Sequence, residues 1–391
     1  MLSFISLFAS SIALLSTVWI ILPAPSYYVW LFSVAASEWS FYFGALALFG
    51  IFGALVFSRG KIKFASVSAG AIAFLISLYP FFSALSAAQK ENVSLSLGQY
   101  FANFLSQNNN AGDKETFTFA EVGGKPLQLD VYYPPDGVSK NGASIVVVHG
   151  GSWNAGGRSD FPQWNFWLAR QGFTVFDIDY RLAPQPNYLS ATSDVKCAVL
   201  WVKKNAAQFN VSPDKIVLLG RSAGAHLALL AAYSAGDAQF LASCAGAETD
   251  EKTRLDESVR AVISFYAPTD LIWDFDNPAN QFVINGPETL RGFLGGNPHE
   301  SVEMRERYLS ASPTARVDGK TPPTLLIHGG QDQLVKSENM DLLAEKLQTA
   351  SVSHKVLFVS YAQHGFDYNF NGWGAQVAKF VMLDFLRENT E

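Results

Sequence analysis

Lys215-Ile216-Val217-Leu218-Leu219-Gly220-Arg221-Ser222-Ala223-Gly224-Ala225-His226 carries an apolar run of strand character straight into G-x-S-x-G, and an Ala- and Leu-rich helical stretch from Ala223 to Tyr233 follows at once. A bend this tight between strand and helix has no room for side chains at its flanking glycines, which makes Gly220 and Gly224 steric requirements. The bend lifts the Ser222 hydroxyl above the edge of a sheet. It also leaves the Ala223 N–H where a developing oxyanion could meet it. The signature is short enough to arise by chance, so its strand-and-helix frame is what gives it chemical meaning.

Outward from this stretch, the chain from about Glu115 alternates short β-rich runs with helical ones, the pattern of a mostly parallel α/β sheet. Thr116 to Glu121 and Leu127 to Tyr133 read as an antiparallel pair around Gly123-Gly124. Further strands are expected at Ser144 to His149, Phe173 to Tyr180, Arg260 to Tyr266, Thr324 to His328 and Lys355 to Val359. Helices are expected at Ala191 to Gln208, Ser337 to Thr349 and Ala375 to Arg387. Residues 115–391 make one α/β domain, and the irregular segment near 274–321, rich in Asn, Pro and Gly, is expected to pack over the site as a cap. Its aromatics Trp273, Phe275 and Phe282 suggest an apolar wall, although ordinary packing explains them equally well.

The N-terminal part is of another kind. Charged residues are only 16% of the 391 against 49% hydrophobic, and that imbalance is concentrated here. Phe4 to Leu22, about Phe41 to Phe57 (starting near Glu38), and about Phe64 to Leu85 are apolar all round and long enough to cross a bilayer. A cleaved signal peptide fits the first run poorly, because Met1-Leu2-Ser3 lacks a basic start and two more runs follow. Residues 1–88 are therefore expected to hold three transmembrane helices, with Pro23 to Trp39 a loop or an interfacial segment carrying Tyr27, Tyr28, Trp30 and Trp39. Arg59, Lys61 and Lys63 would stay on the cytoplasmic side, delivering the rest of the chain to the non-cytoplasmic face. Residues 89–114 read as a polar linker. The net charge of −6 speaks against a nucleic-acid partner. The two cysteines, Cys197 and Cys244, could form one bridge, but two free, buried thiols are the favoured expectation.

Acyl transfer needs a nucleophile, a base, a carboxylate to orient the base, and oxyanion donors. On this topology the acid and base follow the nucleophile, on loops after later strands. Asp332 follows Thr324 to His328 through Gly329-Gly330-Gln331, and His364 follows Lys355 to Val359 within Tyr361-Ala362-Gln363-His364-Gly365-Phe366. Of the other histidines, His149 is expected to brace a loop and His226 to be structural. His299 lies in the cap, His328 ends a strand, and His354 begins one at the surface. Asp270 competes with Asp332 as the acid, its alternative being a turn or helix-cap residue. His149-Gly150-Gly151-Ser152-Trp153 puts glycines directly after a strand, where Gly150 and Gly151 would supply N–H donors beside that of Ala223.

The set HGGSW, DYRLAP, GRSAG, HGGQD and QHGF resembles the α/β-hydrolase superfamily, and within it the hormone-sensitive-lipase-like and feruloyl-esterase-type carboxylesterases, over about residues 115 to 388. The resemblance implies the α/β-hydrolase fold and a serine hydrolase acting on small-molecule esters, with Ser222, Asp332 and His364 as its triad. It further implies that Asp179, Tyr180 and Arg181 help hold the oxyanion loop with His149 and Trp153. Ser152 replaces the third glycine of the lipase-type loop. HGGSW is in that respect similar to the HGGxW of kynurenine formamidases and of the membrane-anchored isoprenylcysteine methylesterases. No metal or organic cofactor is implied.

Overall fold

The structure, a computed structural model, describes residues 1–102, 114–244 and 256–391. Eight strands form one sheet in the order β1-β2-β4-β3-β5-β6-β7-β8. They are β1 (Lys114–Val122), β2 (Lys125–Tyr132), β3 (Ser144–Val148), β4 (Thr174–Ile178), β5 (Ile216–Arg221), β6 (Ala261–Phe265), β7 (Thr324–Gly329) and β8 (His354–Val359). β1 and β2 pair antiparallel, β2 joins β4 antiparallel, and every pairing from β4 through β8 is parallel. The inner strands are apolar on both faces because helices cover both. Val146, Val148, Ile216 and Leu218 point into one core, while Ile145, Val147, Val217 and Leu219 point into the other. This two-sided layering is the expected α/β-hydrolase architecture.

The helices are α1 (Leu2–Thr17), α2 (Tyr27–Glu38), α3 (Ser40–Phe57), α4 (Gly60–Lys90), α5 (Leu97–Ala102), α6 (Pro162–Arg170), α7 (Tyr188–Lys204) and α8 (Ala206–Phe209), followed by α9 (Ala223–Tyr233), α10 (Leu271–Asp276), α11 (Gly286–Leu294), α12 (Val302–Ala311), α13 (Glu338–Thr349) and α14 (Trp373–Thr390). α7, α9 and α13 line the first core, and α6 and α14 line the second.

Among the described residues, three helices are long and apolar enough to cross a membrane: Leu2–Ile20, Ser40–Phe57 and Gly60–Lys90. They approach closely through small residues. A Cβ on Gly50 would lie 2.3 Å from the Ser10 hydroxyl, so the α1–α3 contact needs glycine there. The Pro23 to Trp39 stretch is mostly helix, with Ser26 capping α2 by accepting from the Val29 N–H at 3.4 Å.

Three expectations need correction. The stretch 89–114 is not simply a linker, because α4 runs on to Lys90 and α5 buries Tyr100 face to face on Trp373, 4.2 Å between ring centres; residues 103–113 lie outside the described part. The segment 274–321 is not irregular throughout, since it takes in the end of α10 and all of α11 and α12, with Asn285 and Ser301 capping the last two. Its Asn, Pro and Gly content marks helix ends, the positions where those residues serve. Finally, Cys197 and Cys244 form a disulfide, their Cα atoms 5.9 Å apart. One turn earlier on α7, Ser193 accepts from the Ser243 N–H at 2.9 Å, and this contact brings the two segments together. Alkylation of the denatured full-length chain is therefore expected to modify no cysteine before reduction and two after it. Labelling of either thiol without reductant would contradict the bridge.

Candidate active site

Ser222 sits at the bend between β5 and α9 with φ 54° and ψ −123°, a left-handed backbone that a non-glycine residue adopts only under constraint. Its N–H donates to the Phe265 carbonyl at 2.9 Å, which pins the bend to the neighbouring β6. The two signature glycines allow two close approaches. A Cβ on Gly220 would meet the Gly224 carbonyl at 2.3 Å, and one on Gly224 would meet the His149 carbonyl at 2.2 Å. The second contact presses the start of α9 against the His149–Trp153 loop. There Gly150 faces the bend: a Cβ on it would lie 3.0 Å from the Arg221 carbonyl oxygen and 3.4 Å from the Ser222 Cβ.

Tyr180 and Asn187 bond to the loop, and the residues around them are paired with one another. His149 donates from Nδ1 to the Gly150 carbonyl at 2.7 Å, and its ring lies flat on Tyr180 with centres 4.3 Å apart. Burial lowers the pKa of His149 and keeps the ring neutral. The Tyr180 hydroxyl donates to the His149 carbonyl at 3.3 Å. Asp179 forms an ion pair with Arg158 and accepts the Arg158 N–H at 3.0 Å. Arg181 grips buried Asp194 through the Nε and Nη2 edge of its guanidinium, and Asn187 ties the Arg181 and Trp153 carbonyls together at 3.0 and 2.9 Å. Ser152 and Trp153 both have positive φ (54° and 59°), so the position where the lipase-type loop has glycine is left-handed here too. Serine carries a strain there of about 1–2 kcal/mol.

Trp153 connects the loop to two further elements. Its Nε1–H donates to His226 Nδ1 at 3.3 Å, and its ring stacks on Phe293 of α11 at 4.2 Å. His226 Nε2–H in turn donates to the Ala311 carbonyl at the end of α12 at 2.9 Å. His226 thus has the structural place expected of it, as a neutral imidazole bridging loop and cap. Burial brings its pKa down to about 4 despite that last bond.

Asp332 follows β7 and His364 follows β8, and the structure brings them together. His364 Nδ1 lies 2.7 Å from Asp332 Oδ2. The other oxygen of Asp332 accepts the Leu334 and Val335 N–H groups at 2.8 and 3.0 Å. Burial alone would raise the pKa of this carboxyl. The imidazoles of His364 and His328 together outweigh burial and hold it well below the usual carboxylate range. His328, expected only to end a strand, therefore contributes, with Nε2 3.2 Å from Asp332 Oδ2. The His364 ring packs on Tyr266, the residue after β6, with centres 4.4 Å apart. Asp270 instead caps α10 by accepting from the Trp273 N–H at 3.0 Å.

One group escaped the reading from sequence. Arg221, the variable residue of G-x-S-x-G, is buried, and its Nε donates to Asp367 Oδ2 at 2.6 Å. The Tyr266 hydroxyl donates to Asp367 Oδ1, also at 2.6 Å. The guanidinium lies over Phe161, 4.2 Å from the ring centre. Asp367 stands three residues after His364, so this pair ties the nucleophile bend to the base loop. A variable position inside a motif carries no signal that could have marked it.

Ser222 and Ala223 open into a cleft walled by Ser152, Trp153, Pro268, Asp274, Ile284, Leu290, Leu334 and Val335. Burial pushes Asp274 up to about 6. The cap aromatics stand elsewhere: Phe275 packs on Tyr308, Trp273 lies under Lys336, and Phe282 is 81% exposed.

A family model described as BD-FAE matches residues 129–347. Esterase LipQ of Mycobacterium tuberculosis is 31% identical over 280 residues, covering 68% of this chain and 60% of that protein. Esterase LipC of the same organism is 33% identical over 250 residues, covering 63% and 58%. The chain thus spans about three fifths of the length of these relatives. A solved structure of a thermophilic esterase from Thermogutta terrifontis, native Est2, aligns with TM-score 0.55 at 27% identity over 70% of this chain and 91% of that one.

Two stability predictions follow from the site. Below about pH 6.5 the unfolded chain protonates His226, whereas the folded chain resists until about 4. Stability should therefore fall by about 3 kcal/mol across that window, and His226→Gln should flatten the decline in thermal melts at pH 7 and pH 4.5. Asp367→Ala strands a buried guanidinium and should cost about 3–5 kcal/mol by the same measurement.

Proposed function

We propose that this chain, which belongs to the BD-FAE family, is a serine carboxylic-ester hydrolase anchored in a membrane. One observation carries the reading: the imidazole of His364 bonds through Nδ1 to a buried, ionised carboxylate at the sheet edge where Ser222 is presented. A neutral imidazole donating from Nδ1 has its lone pair on Nε2. That nitrogen takes the proton of Ser222 as Oγ attacks the ester carbonyl, and Asp332 stabilises the imidazolium that forms. The Gly150, Gly151 and Ala223 N–H groups are the oxyanion donors of this reading, and losing one such donor costs about 100- to 1,000-fold in rate. His364 returns its proton to the departing alkoxide, leaving an acyl-serine. Water then adds to the acyl carbon, giving its proton to His364, and the tetrahedral intermediate collapses to carboxylic acid as His364 returns that proton to Ser222 Oγ.

The catalytic domain belongs, in this proposal, on the non-cytoplasmic side. Arg59, Lys61 and Lys63 lie at and just after the α3–α4 junction, and a disulfide between Cys197 and Cys244 suits an oxidising compartment.

Purified full-length chain is expected to hydrolyse short p-nitrophenyl esters and to be labelled by a fluorophosphonate. Ser222→Ala should abolish both. Asp332→Asn should lower kcat about 10⁴-fold, because it disturbs the tautomer needed for proton transfer. Unchanged hydrolysis by Ser222→Ala would overturn the assignment, and faster cleavage of matched anilides or formamides would redirect it to an amidase.

A further inference from the structure

The loops that carry the acid and the base are packed against the apolar N-terminal helices. Ser83 near the end of α4 bonds Ser360 after β8, hydroxyl to hydroxyl at 2.7 Å, and its Oγ accepts the Tyr361 N–H at 3.1 Å. Asn369 Nδ2 donates to the Glu38 carbonyl at the end of α2 at 3.1 Å. The Ala24 N–H, between α1 and α2, donates to Gln333 Oε1 at 2.6 Å, and the Ala24 carbonyl accepts from Asn280 of the cap at 2.6 Å. Gln333 adjoins Asp332 in the chain, and its amide donates to Gln363, the neighbour of His364, at 3.2 Å. The reacting edge of the sheet therefore faces the membrane-spanning part.

The wall of the cleft is continuous with that contact. Leu334 lines the cleft and also packs on a small apolar cluster of Ala24, Trp30 and Val283. Ile284 lines the cleft directly after Val283. Next to the cluster in both segments, large apolar side chains stand open: Phe282, which precedes Val283, and Tyr28, two residues before Trp30, are each 81% exposed, and Leu31 and Phe32 follow as exposed residues on α2. The stretches Pro23 to Ser37 and Asn277 to Pro287 contain no charged residue. Because Ile20 ends one candidate span and Ser40 begins the next, α2 lies between two span ends on the same face of a bilayer. Exposed aromatics at that depth sit in the headgroup zone, and an uncharged apolar surface there is suited to lipid.

Resting on the esterase reading above, we propose that the site takes amphiphilic esters held in the bilayer. They would pass from the membrane surface over the Tyr28–Phe282 patch and along Leu334 and Ile284, placing the scissile carbonyl at Ser222. α2 and the cap loop form the threshold, and the long apolar part of the substrate stays in contact with lipid while the ester is cleaved.

The test uses full-length chain in phosphatidylcholine vesicles and compares dissolved p-nitrophenyl butyrate with two bilayer-held esters, hexadecyl butyrate and monoolein. These place the long chain on the alcohol and on the acyl part in turn. The wild-type chain should hydrolyse at least one bilayer-held ester. The double variant Tyr28→Ser, Phe282→Ser should lower kcat/KM for that ester about tenfold, mainly through KM, because it removes apolar contact. Its p-nitrophenyl butyrate activity should be unchanged. Equal losses on both kinds of substrate, no loss on either, or wild-type protein that cleaves only the dissolved ester would overturn the proposal. Absence of Ser222-dependent hydrolysis of all three would instead sink the esterase reading itself.

Discussion

The buried ion pair between Arg221 and Asp367 is the contact on which the rest of the site depends. It joins the last residue of β5 to the loop that carries His364, and Tyr266 closes it from β6 by bonding the same carboxylate. Two charges removed from water are stable only while they hold each other with further hydrogen bonds, so the pair fixes distance and direction more than it adds stability. Phe161 beneath the guanidinium and Trp164 and Phe265 around it keep water out. The base loop is thereby set relative to the nucleophile bend by side chains that take no part in the proposed chemistry.

A second layer of constraint lies on the other side of Ser222. The His149–Trp153 loop is pressed against α9 by the absence of a side chain at Gly224, and Tyr180 and Asn187 bond to its carbonyls from outside. His226 extends this frame to the cap by bonding Trp153 and the end of α12 together. The floor and roof of the cleft share one neutral, buried imidazole. The low pKa of that imidazole follows from its position, since a charge there would have no water and no carboxylate beside it.

The same structure links chemistry to location. α4 is 31 residues long, more than the roughly 20 residues a helix needs to cross a bilayer, and its end enters the second core of the α/β domain, where Ala84 and Ala88 are fully buried. The stacked Tyr100 and Trp373 rings reinforce that junction. Helices and catalytic domain share a core here, and the carboxyl edge of the sheet is turned toward the helices that contain the candidate spans.

Much of this was legible in the chain because it is local. The strand–bend–helix around Ser222, the strands with their glycine loops and the three apolar runs are all short-range patterns, governed by steric limits at glycine and by hydropathy along a few turns. Most of what was misread depended on contacts between distant segments. The packed Tyr100 and the Cys197–Cys244 bridge each arise from a partner far away in sequence, whereas the helices within 274–321 were obscured by the Asn, Pro and Gly at their ends. Arg221 against Asp367, 146 residues apart, is of the same kind as the bridge, whereas His328 meets Asp332 only four residues on, across the turn after β7. The sequence by itself determined which groups could react and in which order they come. Only the tertiary structure decided what holds them, and that the acid and base loops rest on the apolar helices, because burial and pairing are properties of packed surfaces and leave no periodic trace along a chain.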